Sequence, residues 1–331
     1  MNDIKKEFFL RKLSKEEKTI QDKTIYNILP EYGNGTIIMY KIIEGMYLNY
    51  SDFKFKDIIK NDIKSNYCDN IISIEYCIDG EWKCNFKNDK VAFAQKGNSA
   101  YGAGKSCFLD LDYKGKTYKS INIFCYLNEI TNSVEKIFGV SKEKINKYYD
   151  KLSRRKDFLI IKFDDEAICI LNEIYKYIKC DNVELIKLRA IELLLLEINN
   201  YEDYKNKKGK YYTKSLVEKV ERIHNIIDEN YNKNFTIEDL AKKEKISATS
   251  LKTCFKDLCG DTIYSYKKKC RMQKARELLL ETDYRVYEIA LIVGYREVAM
   301  FIKAFKKTYN MTPTEYRKIK VKYSSSYLVN L

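Results

Sequence analysis

The 331-residue sequence predicts an α+β protein: a β-sandwich or barrel backed by helices, then an all-α domain holding two helix-turn-helix units. Three observations carry this expectation. Between about residues 36 and 126, short segments alternate apolar and polar residues, the period of a half-buried strand. From about 128 onward, apolar residues recur at helical spacing. Near the C-terminus one helix-turn-helix pattern occurs twice.

Taken in order, the runs 71–78 and 81–86 flank Asp79-Gly80, a pattern that predicts a hairpin. Ile72, Ile74, Tyr76 and Ile78 share one side of the first strand, while Trp82, Cys84 and Phe86 share one side of the second. Matching those sides across the turn needs a three-residue loop or a bulge. Further strands are expected at 106–113 and 117–127, joined around Lys114-Gly115-Lys116. Helical patterns follow at about 128–138, 142–152, 164–179 and 182–200. The last carries Leu185, Leu188, Ile191, Leu194, Leu195 and Ile198. It is apolar on more than one side, so it packs on its own domain or on a second chain. The polar stretch Tyr201–Lys210 predicts a linker. The expected organisation is therefore a β-rich domain over 1–200 closing in helices from about 128, a linker over 201–213, a helical domain over 214–319 and a tail over 320–331.

Composition excludes several classes. Hydrophobic residues at 45% and charged residues at 33% are ordinary for a globular chain. No apolar run approaches the ~18 residues of a membrane span, and the charged N-terminal residues lack a leader's apolar core, so a cytoplasmic protein is expected. Ten cysteines are scattered without a Cys-x-x-Cys pair, which predicts free thiols and no zinc site. The single histidine, His224, lies in an amphipathic helical pattern. A His-dependent triad or a two-His metal centre would have to be built around it or do without it. Phosphate-binding glycine motifs and the G-x-S-x-G nucleophile motif are missing from the sequence. No catalytic residue, cofactor or metal is expected.

Charge points elsewhere. The formal net charge is +14, and residues 214–331 hold 24 basic against 15 acidic side chains, compared with 37 against 32 before them. A concentrated positive domain is the electrostatic footprint of a nucleic-acid binder.

Within it, Ala241 is followed by Ile246, Leu251 and Phe255, and Ala290 by Tyr295, Phe301 and Phe305, with one residue inserted in the second turn. A small Ala lets a second helix cross closely, and the apolar pair four residues apart anchors that helix. Thr236 with Asp239, and Ser247, read as helix caps, and Phe235 as a staple against Leu240. Gly294 is a permissive turn residue where the first copy carries Lys245-Ile246. Each copy therefore reads as a helix-turn-helix unit. Residues 262–282 between them form one long helix of roughly 30 Å, close to the ~34 Å that separates successive major grooves on one face of DNA.

The ordered set Leu240-Ala241, Ser247, Leu251, Phe255-Lys256, Gly260, Tyr266, Arg271, Ala275-Arg276, Leu278-Leu279, Ile289-Ala290, Val293-Gly294-Tyr295, Phe301, Phe305-Lys306 and Thr312-Pro313 with Glu315-Tyr316-Arg317 resembles the DNA-binding domain of AraC/XylS transcription regulators. Asn310 stands where that family usually has glycine, and Arg296–Ala299 replace its commoner small polar stretch. The resemblance implies a cupin-like N-terminal domain that receives an effector, helices that dimerise, double-stranded DNA and RNA polymerase as partners, and an activator of bacterial transcription bound to the nucleoid. Over seven residues only, Ile74–Gly80 resembles siderophore-responsive members.

Candidate DNA-reading residues are Thr249, Ser250, Lys252, Thr253 and Lys256 in the first unit and Arg296, Glu297, Ala299, Met300 and Lys303 in the second. Arg296 suits bidentate contact to guanine and Glu297 a cytosine amino group, while Lys256, Lys306 and Lys307 suit phosphate. Tyr76, Trp82 and Phe86 are candidates for an effector pocket, with packing in the core as the commoner role of strand aromatics. A regulator switched by a protein partner, or an enzyme domain tethered to a DNA-binding module, remain as alternatives.

Overall fold

A computed structural model describes residues 13–318 except 57–58, 62–69, 87, 105–107, 114–116, 156–158 and 205–208. The tail and the Lys114–Lys116 connection lie outside the described residues. The chain divides into two compact units, Met1–Lys214 and Ser215–Leu331.

The first unit contains two antiparallel sheets. The larger, in hydrogen-bonding order, comprises β1 (Ser14–Ile20), β2 (Lys23–Ile28), β3 (Gly33–Ile43), β4 (Met46–Phe55), β11 (Thr117–Tyr126), β6 (Ile71–Asp79), β9 (Asn98–Ala103) and β12 (Leu159–Lys162). The smaller comprises β13 (Tyr212–Thr213), β8 (Lys90–Gln95), β7 (Glu81–Phe86), β10 (Phe108–Tyr113) and β5 (Ile59–Asn61). Among the described residues both orders are open, so the sheets do not close into a barrel.

One cluster of buried side chains joins the two sheets, with Ile37, Phe53, Cys77 and Tyr118 from the larger and Trp82, Cys84, Phe86 and Tyr113 from the smaller. The other face of the larger sheet supplies Tyr40, Leu48, Ile72, Ile74, Ile121 and Ile123 to a second cluster shared with four helices. These are α1 (Leu127–Phe138), α2 (Lys142–Ser153), α3 (Asp165–Lys179) and α4 (Val183–Tyr204). A central sheet buried on both faces explains why β4 is apolar or buried at nearly every position, where a one-sided strand would alternate.

The expected hairpin across Asp79-Gly80 is not formed. β6 pairs with β11 and β9, and β7 pairs with β8 and β10. The chain instead leaves one sheet at Gly80 and enters the other. Gly80 has φ of 90°, and a Cβ there would lie 2.3 Å from the Thr117 carbonyl oxygen, so no other residue fits that corner. The one-sided patterns read from the sequence are real but belong to different cores: Ile72 and Ile74 face the helices, while Trp82, Cys84 and Phe86 face the sandwich interior.

α4 packs on its own unit. Its buried residues are Ile186, Ala190, Leu193, Leu194 and Ile198, whereas Leu188 is 63% exposed. A helix apolar on more than one side has no single face legible from spacing, and the sheet beneath it selects one. The stretch read as a linker is partly built in: α4 runs to Tyr204, and Tyr212 and Thr213 pair with Val91 and Lys90.

The sandwich interior contains a polar belt. Asn49 lies opposite Asn122 and Ser51 opposite Ser120 on β4 and β11, and Asn122 and Ser120 lie opposite Glu75 and Cys77 on β6. The side-chain oxygens of Asn49, Ser51, Ser120 and Asn122 are buried without a hydrogen-bond partner among the described residues. Glu75 accepts from the Trp82 indole at 2.9 Å and from the Tyr118 hydroxyl. Burial pushes its carboxyl above the usual range, against the opposing effect of those two bonds.

Candidate nucleic-acid interface

The second unit is helical: α5 (Lys214–Glu229), α6 (Ile237–Lys243), α7 (Ala248–Cys259), α8 (Ile263–Glu281), α9 (Val286–Ile292) and α10 (Val298–Tyr309), then a helical segment over 313–318. α6 and α7 form the first helix-turn-helix unit, and α9 and α10 the second. Leu251 and Phe255 of α7, and Phe301 and Phe305 of α10, are fully buried, as anchors of a helix whose opposite side is left open should be.

Local chemistry sets the first unit. Thr236 and Asp239 cap α6 reciprocally, each backbone N–H donating to the other's side chain at 3.0 Å. Hydrogen bonding to Thr236, from its side chain first and then its backbone, holds the Asp239 carboxyl below its usual range. Ser247 caps α7, accepting from the Ser250 N–H at 3.0 Å. Between them the turn closes with Lys245 at φ of 53° and the Ile246 N–H on the Ala241 carbonyl.

The second unit repeats the turn, with the Tyr295 N–H on the Ala290 carbonyl at 2.8 Å and Gly294 at φ of 86°. Here a Cβ would sit 2.2 Å from the Asn232 carbonyl, so glycine is needed for space as well as for conformation. α6 and α9 are related by a shift of 49 residues, and α7 and α10 by a shift of 50. The residue that makes the difference falls between Tyr295 and Glu297, and it is Arg296. Glu297 occupies the cap position of α10 without making a side-chain cap bond. Asn310 ends α10 at φ of 59°, a left-handed cap that asparagine tolerates.

Every sequence-selected residue here lies on the open side of its helix or at its start. Thr249, Lys252 and Lys256 are exposed at a spacing of three to four along α7, and Thr253 is half-buried between them. Ser250 is half-buried and bonded to the Ser247 hydroxyl at 2.8 Å. On α10, Ala299, Met300, Lys303, Lys306 and Lys307 are all exposed, and Arg296 and Glu297 are exposed just before it. Arg296 thus belongs to the entry of the recognition helix and not to its body.

The three effector-pocket candidates do not converge. Trp82 and Phe86 are 1% and 2% exposed inside the sandwich, whereas Tyr76 packs on the helix side with its ring 5.8 Å from Phe163. The packing role is the one they fill.

Arg271, on α8, is a residue whose part single-residue reasoning does not reveal. Its Nε donates to the Tyr231 carbonyl at 2.7 Å and its Nη2 to the Asn232 carbonyl at 3.2 Å, while the guanidinium stacks 5.4 Å from the Tyr295 ring. One side chain therefore ties the entry of the first unit to the turn of the second. Arg317 performs a similar tie, donating to the Tyr284 carbonyl at 2.6 Å.

A family profile described as a helix-turn-helix domain matches residues 240–319. The chain is 36% identical over 87 residues to a probable transcription factor PqrA of Proteus vulgaris, covering 26% of this chain and 71% of that protein. It is 31% identical over 103 residues to the HTH-type transcriptional activator RhaR of Mannheimia succiniciproducens, covering 31% of this chain and 37% of that one. The chain thus spans little more than a third of that longer relative. Among solved structures, the C-terminal domain of the two-component response regulator yesN from Fusobacterium nucleatum is 43% identical, with 29% of this chain and 95% of that chain covered and a TM-score of 0.28. The matched segment contains both turns, both recognition helices and the long helix between them, and on that footing the chain belongs to the AraC/XylS family, DNA-binding transcription regulators and not enzymes.

Proposed function

We propose that this protein is a sequence-specific transcription activator that reads two adjacent major-groove segments of one duplex with α7 and α10. The observation that carries the reading is the pair of open recognition faces held at the two ends of one 19-residue helix. At 1.5 Å per residue α8 is about 28 Å long, near the spacing of successive major grooves. In this reading Arg296 contacts a guanine, Glu297, Ala299, Met300, Lys303 and the α7 residues Thr249, Ser250, Lys252 and Thr253 contact neighbouring base edges, and Lys256, Lys306 and Lys307 contact phosphates. Selection of sites from random duplex DNA by the full chain tests it. The expected result is a motif in two parts about one helical turn apart, with affinity falling steeply as salt rises. Enrichment of one short segment only, or of none, would overturn it.

The same reading assigns control to the first unit. Its polar belt supports this, because a packed sandwich interior has no use for four buried oxygens without partners. A small molecule presenting hydrogen-bond donors to Asn49, Ser51, Ser120 and Asn122 would satisfy them. A thermal-shift screen of the full chain against Asn122→Leu separates this from control by a protein partner. A ligand of the belt stabilises the parent and not the variant.

A further inference from the structure

One groove of the second unit is accounted for by neither recognition helix. It encloses about 340 Å³ between the entry of α6, the first half of α8 and Tyr295. Lys267, Lys268 and Arg271 line it together with Tyr264 and Thr236, and no Asp or Glu does. Among the described residues, the cations there are not neutralised by carboxylates. Lys267 donates to the Lys233 carbonyl and lies 4.0 Å over the Phe235 ring, Arg271 is engaged with backbone carbonyls, and Lys268 makes no ion pair among the described residues. Burial, and then the neighbouring Arg271 charge, lower the Lys267 ammonium to about 8. The charged form of Lys267 is held at a cost in solvation, and an oxyanion entering the groove would relieve that cost. Tyr264, 78% exposed at the rim, adds a hydroxyl that can donate.

We propose that this groove binds a phosphate oxyanion, and that in the DNA complex it seats a backbone phosphate between the two major-groove contacts. The position favours the duplex as the source. The first helix of a helix-turn-helix unit crosses the DNA backbone, and this groove opens at the entry of that helix, α6. Its far wall, Tyr295, directly precedes Arg296. In the double-reader reading, a strand running from the first reading helix to the second would pass this point. The inference rests on the double-reader reading, and its test keeps the two apart.

The test uses the full chain, Lys267→Met, Lys268→Gln and, as a control in the other unit, Lys136→Gln. In the first arm, affinity for a duplex selected by the parent is measured against salt. Each groove variant should lower the slope of log K against log salt by about 0.9 and weaken binding about fivefold at 0.15 M salt, equally for matched and mismatched sites. Lys136→Gln should change neither. In the second arm, thermal unfolding is followed with and without inorganic phosphate at constant ionic strength. Loss of slope in the groove variants, with at most weak stabilisation by free phosphate, supports the duplex as the source. Unchanged slopes with phosphate stabilising only the parent overturn the DNA contact and identify free phosphate as the ligand. Unchanged slopes and no stabilisation overturn the site. A parent that shows no sequence preference overturns the double reader, and the phosphate arm still decides the groove.

Discussion

In the first helix-turn-helix unit the chain closes its turn with Lys245 in the left-handed region and caps both helices from its own sequence. In the second, Gly294 occupies the same place, α10 starts without a side-chain cap, and an additional residue, Arg296, is set between turn and helix. The first unit is specified locally. The second is specified by what it packs against: the Asn232 carbonyl that forces glycine, and the Arg271 guanidinium lying against Tyr295. Two copies of one motif can therefore share a geometry while drawing it from different sources. The copy that depends on tertiary contact is also the one that carries the inserted arginine.

Gly294→Ala should break this comparison most severely. It combines a left-handed conformation with backbone overlap and should cost about 2–4 kcal/mol, read as a lowered midpoint in urea denaturation of the full chain. Lys245→Gly in the matching position meets no such neighbour. It should change stability by less than about 1 kcal/mol, in the stabilising direction where relief of the strain exceeds the added chain entropy. Equal effects at the two positions would show that the turns are built alike after all.

Arg296→Ala tests whether the insertion serves reading. It should cost about 1–3 kcal/mol of binding and relax preference at one base position only. A uniform loss over all sequences, measured on a panel of single-base variants, would reassign Arg296 to phosphate. Smallest are the caps. Ser247→Ala should lose about 1 kcal/mol of stability, and Glu297→Ser should gain about 0.5–1 kcal/mol. Failure of Glu297→Ser to stabilise would mean that the α10 entry is already satisfied in another way.

How far the sequence speaks for the structure follows from the same distinction. Caps, turn residues and anchors lie within a few positions of one another, so Thr236, Ser247, Gly294 and the Phe301/Phe305 pair could be placed from spacing alone. The cap formed by Thr312 and Glu315 has the same short spacing, with the Thr312 N–H donating to the Glu315 carboxylate at 2.8 Å. Asp79-Gly80 was misread because the same two residues suit a hairpin and a change of sheet, and only the partners on β11 and β8 decide between them. The buried side of α4 was not legible because its apolar residues, Leu188 among them, lie on more than one side of the helix. The Arg271 tie and the groove at Lys267 are invisible to periodicity, since their partners lie 24 to 40 positions away.

α8 is continuous from Ile263 to Glu281, and Arg271 fixes it to the loop before the first unit and the turn of the second. Under the proposed reading, this sets a spacing rule for the operator. Regulators joined by a flexible tether can follow their half-sites when whole helical turns of DNA are inserted between them. A chain with a stiff helix for its tether has no such freedom. One inserted base pair moves the second element by about 3.4 Å and turns it by about 34° around the duplex axis, and adding a full turn restores the phase without restoring the reach. The target is then defined by a fixed interval as much as by its letters, and two correct half-elements at any other interval are, for this protein, unrelated DNA.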